Sequence, residues 1–212
     1  LEYQGYDYQT VLIGDQCWFA ENLRNELYNN GDTIPAGLSV SEWQNTTSGA
    51  VAVYGEGSSE CDTETPDGDA CDETWSLNEY GRLYNWYAVD DARGLCPSGW
   101  HVPTDEEWNV MRDFLGGVSV AGGQMKTTYG WHDGGDGTNS SGFSGLPGGS
   151  RYYDGYFGNT GDGGQWWSSS WVSSPSGPFA WWQSLGSDTG YFHRYSSDKR
   201  LGFSVRCIQD TE

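Results

Sequence analysis

Aromatic side chains are concentrated in the C-terminal part of the chain, at a spacing that suits either a packed core or a ligand-binding surface. The stretch GQWWSSSWVSSPSGPFAWWQ, between Gly164 and Gln183, holds five of the 12 tryptophans. Tryptophan and tyrosine combine a large apolar ring with one polar group, so they serve buried positions and interfaces equally well. We therefore expect some of these rings to form core and others to be held outward for a ligand to stack on.

The sequence carries no motif of a familiar catalytic or phosphate-binding site. Its three histidines, His101, His132 and His193, lie far apart, and G-x-S-x-G, H-E-x-x-H and phosphate-binding glycine motifs are absent. A Ser-His-Asp triad requires proximity in space and not in sequence, so an enzyme stays as the second hypothesis.

Carboxylates are densest in an acidic insertion loop at about residues 55–75, where eight lie between Glu56 and Glu73. Calcium prefers hard oxygen ligands of this kind. The candidate ligands are Asp62, Asp67 and Asp69. The EF-hand register, D-x-D-x-D-G with glutamate at the twelfth position, is not matched. The alternative is a solvated, exposed loop, and no cofactor other than calcium is indicated.

The five cysteines predict disulfides, because no CxxC pair of the zinc-ribbon or thioredoxin type occurs. Cys61 and Cys71 flank the acidic loop and would close it. A bridge between Cys96 and Cys207 would join the end of the chain to its middle. Two bridges with Cys17 left over are typical of an exported protein.

The charge of the chain argues against two classes of partner. The formal net charge is −20, which opposes binding to nucleic acid or to an anionic membrane face. No apolar run approaches the roughly 20 residues needed to cross a bilayer, so direct membrane insertion is not expected. Aromatic side chains with Asp and Ser as hydrogen-bonding partners suit a protein or glycan ligand equally, and the predicted disulfides suit a place at a cell surface or outside the cell.

The pattern along the chain predicts one α+β domain spanning residues 1–212. The 32 glycines favour short strands joined by long loops. Alternation on both sides of Gly14-Asp15 predicts a hairpin. The residues Thr104 and Glu107 form a capping box for a helix that Gly116 ends. The apolar residues expected on the core side of this helix are Trp108, Met111, Phe114 and Leu115.

A second helix is predicted around Leu83, Trp86 and Tyr87, whose spacing is helical. Short strands are predicted at 143–147, 164–170, 179–185 and 201–208. With strands at both ends and helices between them, we expect the first and last strands to pair.

Six motifs in order give the chain a resemblance to a known family. They are TVLIGDQCWFAENL, YGRLYNWYAV, ARGLCPSGWHVPTDEEW, GTNSSGFSGLPGG, WWSSS and GFSVRC. Together they resemble the Fibrobacter succinogenes major paralogous domain, which is similar to the C-type-lectin-like fold. The resemblance implies two helices, a small twisted antiparallel sheet, long glycine-rich loops, adjacent terminal strands and bacterial export.

The chain departs from two activities found on that fold. The E-P-N or Q-P-D and W-N-D motifs of calcium-dependent sugar-binding lectins are absent. The fold is also related to that of formylglycine-generating enzymes, which need a reactive cysteine pair, whereas a bridge to Cys96 would occupy Cys207 here. The resemblance therefore carries over neither activity.

Members of this fold also serve as variable proteins of diversity-generating retroelements, in which a C-terminal segment is randomised at adenines. The segment SLGSDTGYFHRYSSDKRLGFSVRC intersperses residue types that such randomisation produces between fixed-looking ones. The candidate variable positions are Gly186, Ser187, Asp188, Tyr191, His193, Tyr195, Asp198 and Leu201. The alternative is an ordinary polar loop.

The leading hypothesis is thus an exported, non-enzymatic binding module with an aromatic-rich C-terminal surface. The predicted ligand-binding residues are Trp171, Phe179, Trp182, Asp188, Tyr191, His193, Tyr195 and Asp198. The tryptophans within family motifs are expected in the core, namely Trp86, Trp100, Trp108, Trp166, Trp167 and Trp181. Trp171 and Trp182 are expected at the surface. The other hypotheses are an enzyme of the formylglycine-generating or glycan-processing type and a structural adhesion module.

Overall fold

The computed structural model describes residues 1–57, 65–173, 177 and 179–211. Its strands are β1 Glu2–Tyr3, β2 Tyr6–Asp7, β3 Thr10–Ile13, β4 Gln16–Phe19, β5 Val51–Ala52, β6 Leu83–Asn85, β7 Trp100–His101, β8 Gly148–Arg151, β9 Phe157–Thr160, β10 Gly163–Val172, β11 Phe179–Gly186, β12 His193–Asp198, β13 Gly202–Phe203 and β14 Ile208–Gln209. Its helices are α1 Val40–Asn45, α2 Glu73–Tyr80, α3 Trp86–Val89, α4 Asp105–Phe114 and α5 Ala121–Met125, with a 3₁₀ turn at His132–Gly134. The protein is therefore of mixed α+β class, as predicted.

The two ends of the chain meet in a four-stranded sheet of order β3-β4-β14-β7. Strands β3 and β4 form the predicted hairpin, with Ile13 opposite Gln16 and the two-residue turn Gly14-Asp15 between them. Gly14 adopts a φ of 63°, which glycine tolerates without strain. Ile208 then pairs with Trp18, so the predicted adjacency of the terminal strands is confirmed.

The main sheet is larger than the small sheet that was expected. It has eight strands, in the order β12-β11-β10-β8-β13-β6-β5, with β9 paired to β8. The pairing of β10 with β8 is parallel, whereas its pairing with β11 is antiparallel. The predicted strand at 143–147 lies instead at Gly148–Arg151, and the edge strand β12 was not predicted.

The expected number of helices was also too low, since the described residues contain five α-helices. The predicted helix around Leu83 is interrupted. Helix α2 is capped at its C-terminus by Gly81, whose φ is 75°. A Cβ atom at this position would lie 2.9 Å from the carbonyl oxygen of Leu23, so a larger residue would not fit. Strand β6 follows, and the side chain of Asn85 then caps the short helix α3 by accepting a hydrogen bond from the Ala88 N–H.

Helix α4 forms as its capping box predicts. The Thr104 side chain accepts a hydrogen bond from the Glu107 N–H, and the Glu107 carboxylate accepts one from the Thr104 N–H. Trp108 and Met111 are buried on one face, as expected. Phe114 was wrongly assigned to the core: it is 64% exposed, because it lies at the helix end beside the tight turn at Gly14.

Successive residues of β10 pack on opposite sides of the main sheet, as the strand period of two requires. Trp166 joins the apolar cluster that contains Trp18 and Trp108. Trp167 joins a second cluster with Trp86 and Phe203. Both β10 tryptophans are fully buried, which confirms their predicted core role.

A buried polar network connects the terminal sheet to β10. The Asn22 Oδ1 atom accepts hydrogen bonds from Trp166 Nε1 at 2.8 Å and from Arg206 Nε at 2.7 Å. Arg206 is fully buried and donates further hydrogen bonds to the carbonyl oxygens of Phe19, Phe143 and Ser144. Burial lowers the pKa of the Arg206 guanidinium. Backbone carbonyls therefore carry much of the compensation for this buried cation.

We predict that Asn22→Ala lowers the free energy of unfolding by about 3 kcal/mol or more, because each unsatisfied buried polar group costs roughly 1–3 kcal/mol. Equilibrium denaturation in urea measures this change. The exposed Asn29 provides the control, and Asn29→Ala should alter stability by no more than about 0.5 kcal/mol. A loss below about 1 kcal/mol for Asn22→Ala would show that the network contributes little.

A second polar link holds β7 to the start of α4. The His101 ring is hydrogen-bonded at Nε2 to the Glu107 carboxylate at 2.9 Å and at Nδ1 to Asp210 at 2.6 Å. The hydrogen bond with Glu107 raises the pKa of His101 to about 9, against the opposing effect of burial and with further help from Asp210.

The raised pKa makes this stabilisation pH-dependent. Protonated His101 stabilises the fold fully below the unfolded-state pKa of about 6.5, and the contribution is lost as the pH rises through about 9. We predict that His101→Gln lowers the melting temperature clearly at pH 6 and much less at pH 10. The control is His193→Gln, since no carboxylate pairs with His193 within the described ranges. An equal loss at both pH values would contradict this assignment.

Candidate ligand-binding site

The edge of the main sheet that the C-terminal strands β11 and β12 form carries a continuous row of aromatic rings. Strand β12 is the sheet edge, and its residue Tyr195 lies directly opposite Trp182 on β11. Residues directly opposite each other in an antiparallel pair share a face. Ring centroids are 5.6 Å apart for Tyr191 and His193, 5.8 Å for His193 and Tyr195, and 5.1 Å for Tyr195 and Trp182.

The same row continues inward to the core. The Trp182 ring lies 4.7 Å from Phe203, and Phe203 lies 4.6 Å from the buried Trp167. We call the six rings from Tyr191 to Trp167 the aromatic row. Tyr191 and Tyr195 are about half exposed, His193 and Trp182 are partly buried, and Phe203 and Trp167 are buried. The exposed rings are thus supported from behind by core packing.

Trp182, which was expected at the surface, is half-buried: part of its ring packs against the core and part stays exposed. The register places its ring over Phe203, and its Nε1 atom donates a hydrogen bond to the Ser197 hydroxyl at 3.0 Å. These contacts hold the ring in one orientation. Truncating Trp182 would therefore perturb the core as well as any ligand contact.

A cleft of about 390 Å³ opens beside Trp182 on the main sheet. Its floor includes Gln165, Trp182 and Phe203, from three neighbouring parts of the sheet. One wall comes from the tyrosine pair Tyr152 and Tyr153 in the turn between β8 and β9. The remaining lining residues are Ser150, Asn159, Phe179, Ser196, Ser197, Asp198 and Leu201. This volume lies within the usual range for ligand pockets, roughly 300–1,000 Å³.

The loop that leads into β12 is fixed by a buried lysine. The Lys126 Nζ atom donates hydrogen bonds to the carbonyl oxygens of Gly186 at 3.0 Å and Thr189 at 2.9 Å, and also to that of Gly135. Burial lowers the pKa of this ammonium group. Ser187 and Asp188 lie at this loop, in a separate depression that is not part of the cleft.

The opposite side of β12 is tied to helix α4. Arg194 forms a bidentate pair with Asp105, with Nε–Oδ1 at 2.6 Å and Nη2–Oδ2 at 2.7 Å, and its guanidinium lies 3.3 Å from the Trp181 ring centre. Trp181 is half-buried and contacts this cation, so its predicted core role is wrong. Trp100 is likewise half-buried, at the margin of the core.

The structure gathers some of the predicted binding residues and separates others. Phe179, Trp182 and Asp198 line the cleft, together with the candidate variable residue Leu201. The outer three rings of the aromatic row are those of Tyr191, His193 and Tyr195. Trp171 is 60% exposed but lies outside the cleft, with its ring 5.8 Å from Lys199 Nζ. Asp188 also lies outside it.

Sequence reasoning missed part of the lining, namely Ser150, Tyr152, Tyr153, Asn159, Gln165, Ser196, Ser197 and Phe203. A signal existed for the tyrosine wall. Asp154-Gly155 is a turn dipeptide, and a hairpin read there would have placed the preceding tyrosines at an exposed tip. Gln165 carried no signal, since its position depends on the pairing of β10 with its neighbours.

The disulfide predictions and the metal-site prediction have different outcomes. Cys96 and Cys207 form the predicted disulfide. Cys71 is disulfide-bonded, whereas Cys61 and Asp62 lie outside the described residues. Among residues 1–57, 65–173, 177 and 179–211, no group of three or more His, Cys, Asp or Glu side chains is arranged to hold a metal, and this includes Asp67 and Asp69.

The fold and the site define a disulfide-linked α+β domain with an aromatic-lined surface cleft. Residues 11–209 match the model of the Fibrobacter succinogenes major domain, and the chain belongs to this family. No curated protein and no solved structure gives a significant match to the chain. Within the described part of the chain, none of the helices has the length and apolar character needed to cross a membrane.

Proposed function

We propose that this domain is a non-enzymatic binding module whose ligand occupies the cleft and contacts the aromatic row. The observation that carries the proposal is the continuity of the row, from buried Trp167 to exposed Tyr191. Exposed rings held by core packing lose little freedom on binding, which lowers the entropic cost of association. Aromatic residues are also enriched among the residues that dominate binding energy.

The module acts outside the cell or at the bacterial cell surface in this proposal. The disulfide between Cys96 and Cys207 supports export, because disulfides persist mainly in oxidising compartments. A C-type-lectin-like fold is part of the same proposal. Its support is the pairing of Ile208 with Trp18, which joins the N- and C-terminal strands as that fold requires.

The two other hypotheses have less support. An enzyme of the formylglycine-generating type needs a reactive cysteine pair, whereas the Cys207 sulfur is bonded to Cys96. A glycan-processing enzyme would have to place its acids at the cleft. In the part of the chain that the structure describes, the one carboxylate lining the cleft is that of Asp198, and it is paired with Arg200. An adhesion module needs no concave aromatic patch, so the cleft favours a binding role over a purely structural one.

One observation favours a variable protein of a diversity-generating retroelement as a narrower form of this function. None of the eight candidate variable positions is buried. Phe192, which lies between them, and the flanking residues Leu185 and Gly202 are buried, as structural positions would be. Apart from Leu201, which packs against the core, side chains at the candidate positions can therefore change with little effect on the core.

The neighbouring DNA tests this narrower form. It requires a reverse transcriptase gene and a near-copy of the codons for residues 165–207 that differs at adenines. Their absence from the surrounding genome would remove the retroelement and leave an invariant binding module.

We predict that Tyr195→Ala weakens ligand binding at least tenfold with little loss of stability, because the ring is 46% exposed at the sheet edge. Ligands are first selected on a glycan array and from a peptide display library, and affinities are then measured by calorimetry. The matched control is Tyr129→Ala, since Tyr129 is equally exposed but lies outside the row and the cleft. Ligands that bind both variants as tightly as the wild type would contradict the proposed surface.

A further inference from the structure

The cleft pairs aromatic surface with hydrogen-bonding groups that carry no charge. Trp182, Tyr152 and Tyr153 supply ring surface to the floor and wall. Hydroxyl and amide groups surround them, from Ser150, Ser196, Ser197, Asn159 and Gln165. Such a lining suits a ligand with one apolar face and a rim of hydroxyl groups.

The charge of the cleft is balanced, although the chain as a whole is strongly acidic. Among the described residues that line the cleft, Asp198 is the one that carries a charge. Arg200 donates to it from Nε at 3.0 Å, from Nη2 at 2.7 Å and from its backbone N–H at 2.9 Å. A charged ligand would therefore meet no unpaired counter-charge among the lining residues, and its desolvation would go uncompensated.

The floor of the cleft also contains an unpaired acceptor. Gln165 is 7% exposed, and its Oε1 atom has no hydrogen-bond partner among the described residues. A buried polar atom left without a partner destabilises the fold unless another group satisfies it. Of the residues lining the cleft, Gln165 alone has such an atom. The oxygen itself is closed to solvent, so a ligand that donates a hydrogen bond, such as a hydroxyl group, would satisfy it once the side-chain amide turns toward the cleft.

Resting on the binding function proposed above, we propose that the cleft binds a ring of a neutral sugar. The apolar C–H face of the pyranose stacks on the aromatic floor or wall, and one of its hydroxyl groups donates to Gln165. An apolar aromatic side chain of a protein partner would fill the space but leave Gln165 unpaired. The cleft volume of about 390 Å³ suits one or two sugar rings and does not suit a long, enclosed sugar chain.

This binding needs no metal ion. The lining residues within the described ranges include a single carboxylate, and Arg200 already pairs with it. Calcium requires several oxygen ligands at once, usually with more than one carboxylate. Sugar binding at this cleft is therefore insensitive to chelators.

The test titrates the full chain by calorimetry with the methyl glycosides of glucose, galactose, mannose and N-acetylglucosamine, in EDTA. Methyl glucuronide is the charged counterpart. At least one neutral glycoside should bind, and methyl glucuronide should bind at least tenfold more weakly than methyl glucoside if glucoside is a ligand. Equal or tighter binding of the glucuronide would overturn the neutral-cleft argument.

The variant Gln165→Leu tests glycoside recognition independently of folding stability. The two side chains are similar in size, and the leucine removes the unpaired oxygen, so thermal stability should stay the same or rise. Affinity for the neutral glycoside should fall at least tenfold, while the control Tyr129→Ala keeps it. Unchanged glycoside affinity in Gln165→Leu would overturn the assigned hydrogen bond and with it the proposed pose.

The two proposals fail in different ways. If no glycoside binds but a displayed peptide binds in a manner that depends on Tyr195, the sugar proposal is overturned and the binding function stands. If neither class of ligand depends on Tyr195 or Gln165, both are overturned.

Discussion

The buried side chain of Asn22 is the contact on which the arrangement of the sheets depends. Its oxygen accepts from Trp166 on β10 and from Arg206 just before β14, and its nitrogen donates to the Tyr80 carbonyl at the end of α2. Four parts of the chain that lie far apart in sequence thus share one side chain. Since buried polar groups are expensive to leave unpaired, alternative packings of these parts are disfavoured.

The position of β10 in turn determines the candidate site. With Trp166 held against Asn22, Trp167 faces the cluster that contains Trp86 and packs against Phe203 at a tilt. Trp182 then packs on Phe203, and Tyr195 packs on Trp182. Lys126 holds the loop that leads into β12, and the Arg194–Asp105 pair ties the start of β12 to α4. The outer rings are therefore positioned before any ligand arrives.

Local signals in the sequence were enough to predict elements that depend on few residues. The capping box of Thr104 and Glu107 and the turn at Gly14-Asp15 each operate within a few positions, and both elements form as predicted. The edge strand β12 was missed because HRYSSD lacks apolar alternation, and pairing with β11 creates the strand. The aromatic character of the site was predictable from the composition of the sequence. Gln165 was not, because the pairing of β10 with its neighbours brings it to the cleft. The Tyr152–Tyr153 wall had a local signal, the Asp154-Gly155 turn dipeptide, which sequence reasoning overlooked.

The most direct test of the binding surface is an NMR titration of the labelled protein with a glycoside or peptide selected for binding. The account predicts that the Trp182 indole N–H and the Gln165 side-chain amide signals shift with ligand concentration. The Trp86 indole signal, whose N–H donates to the Ser168 carbonyl within the core, should stay unchanged. Shifts confined to the loop around Lys126, with Trp182 and Gln165 unaffected, would contradict the account.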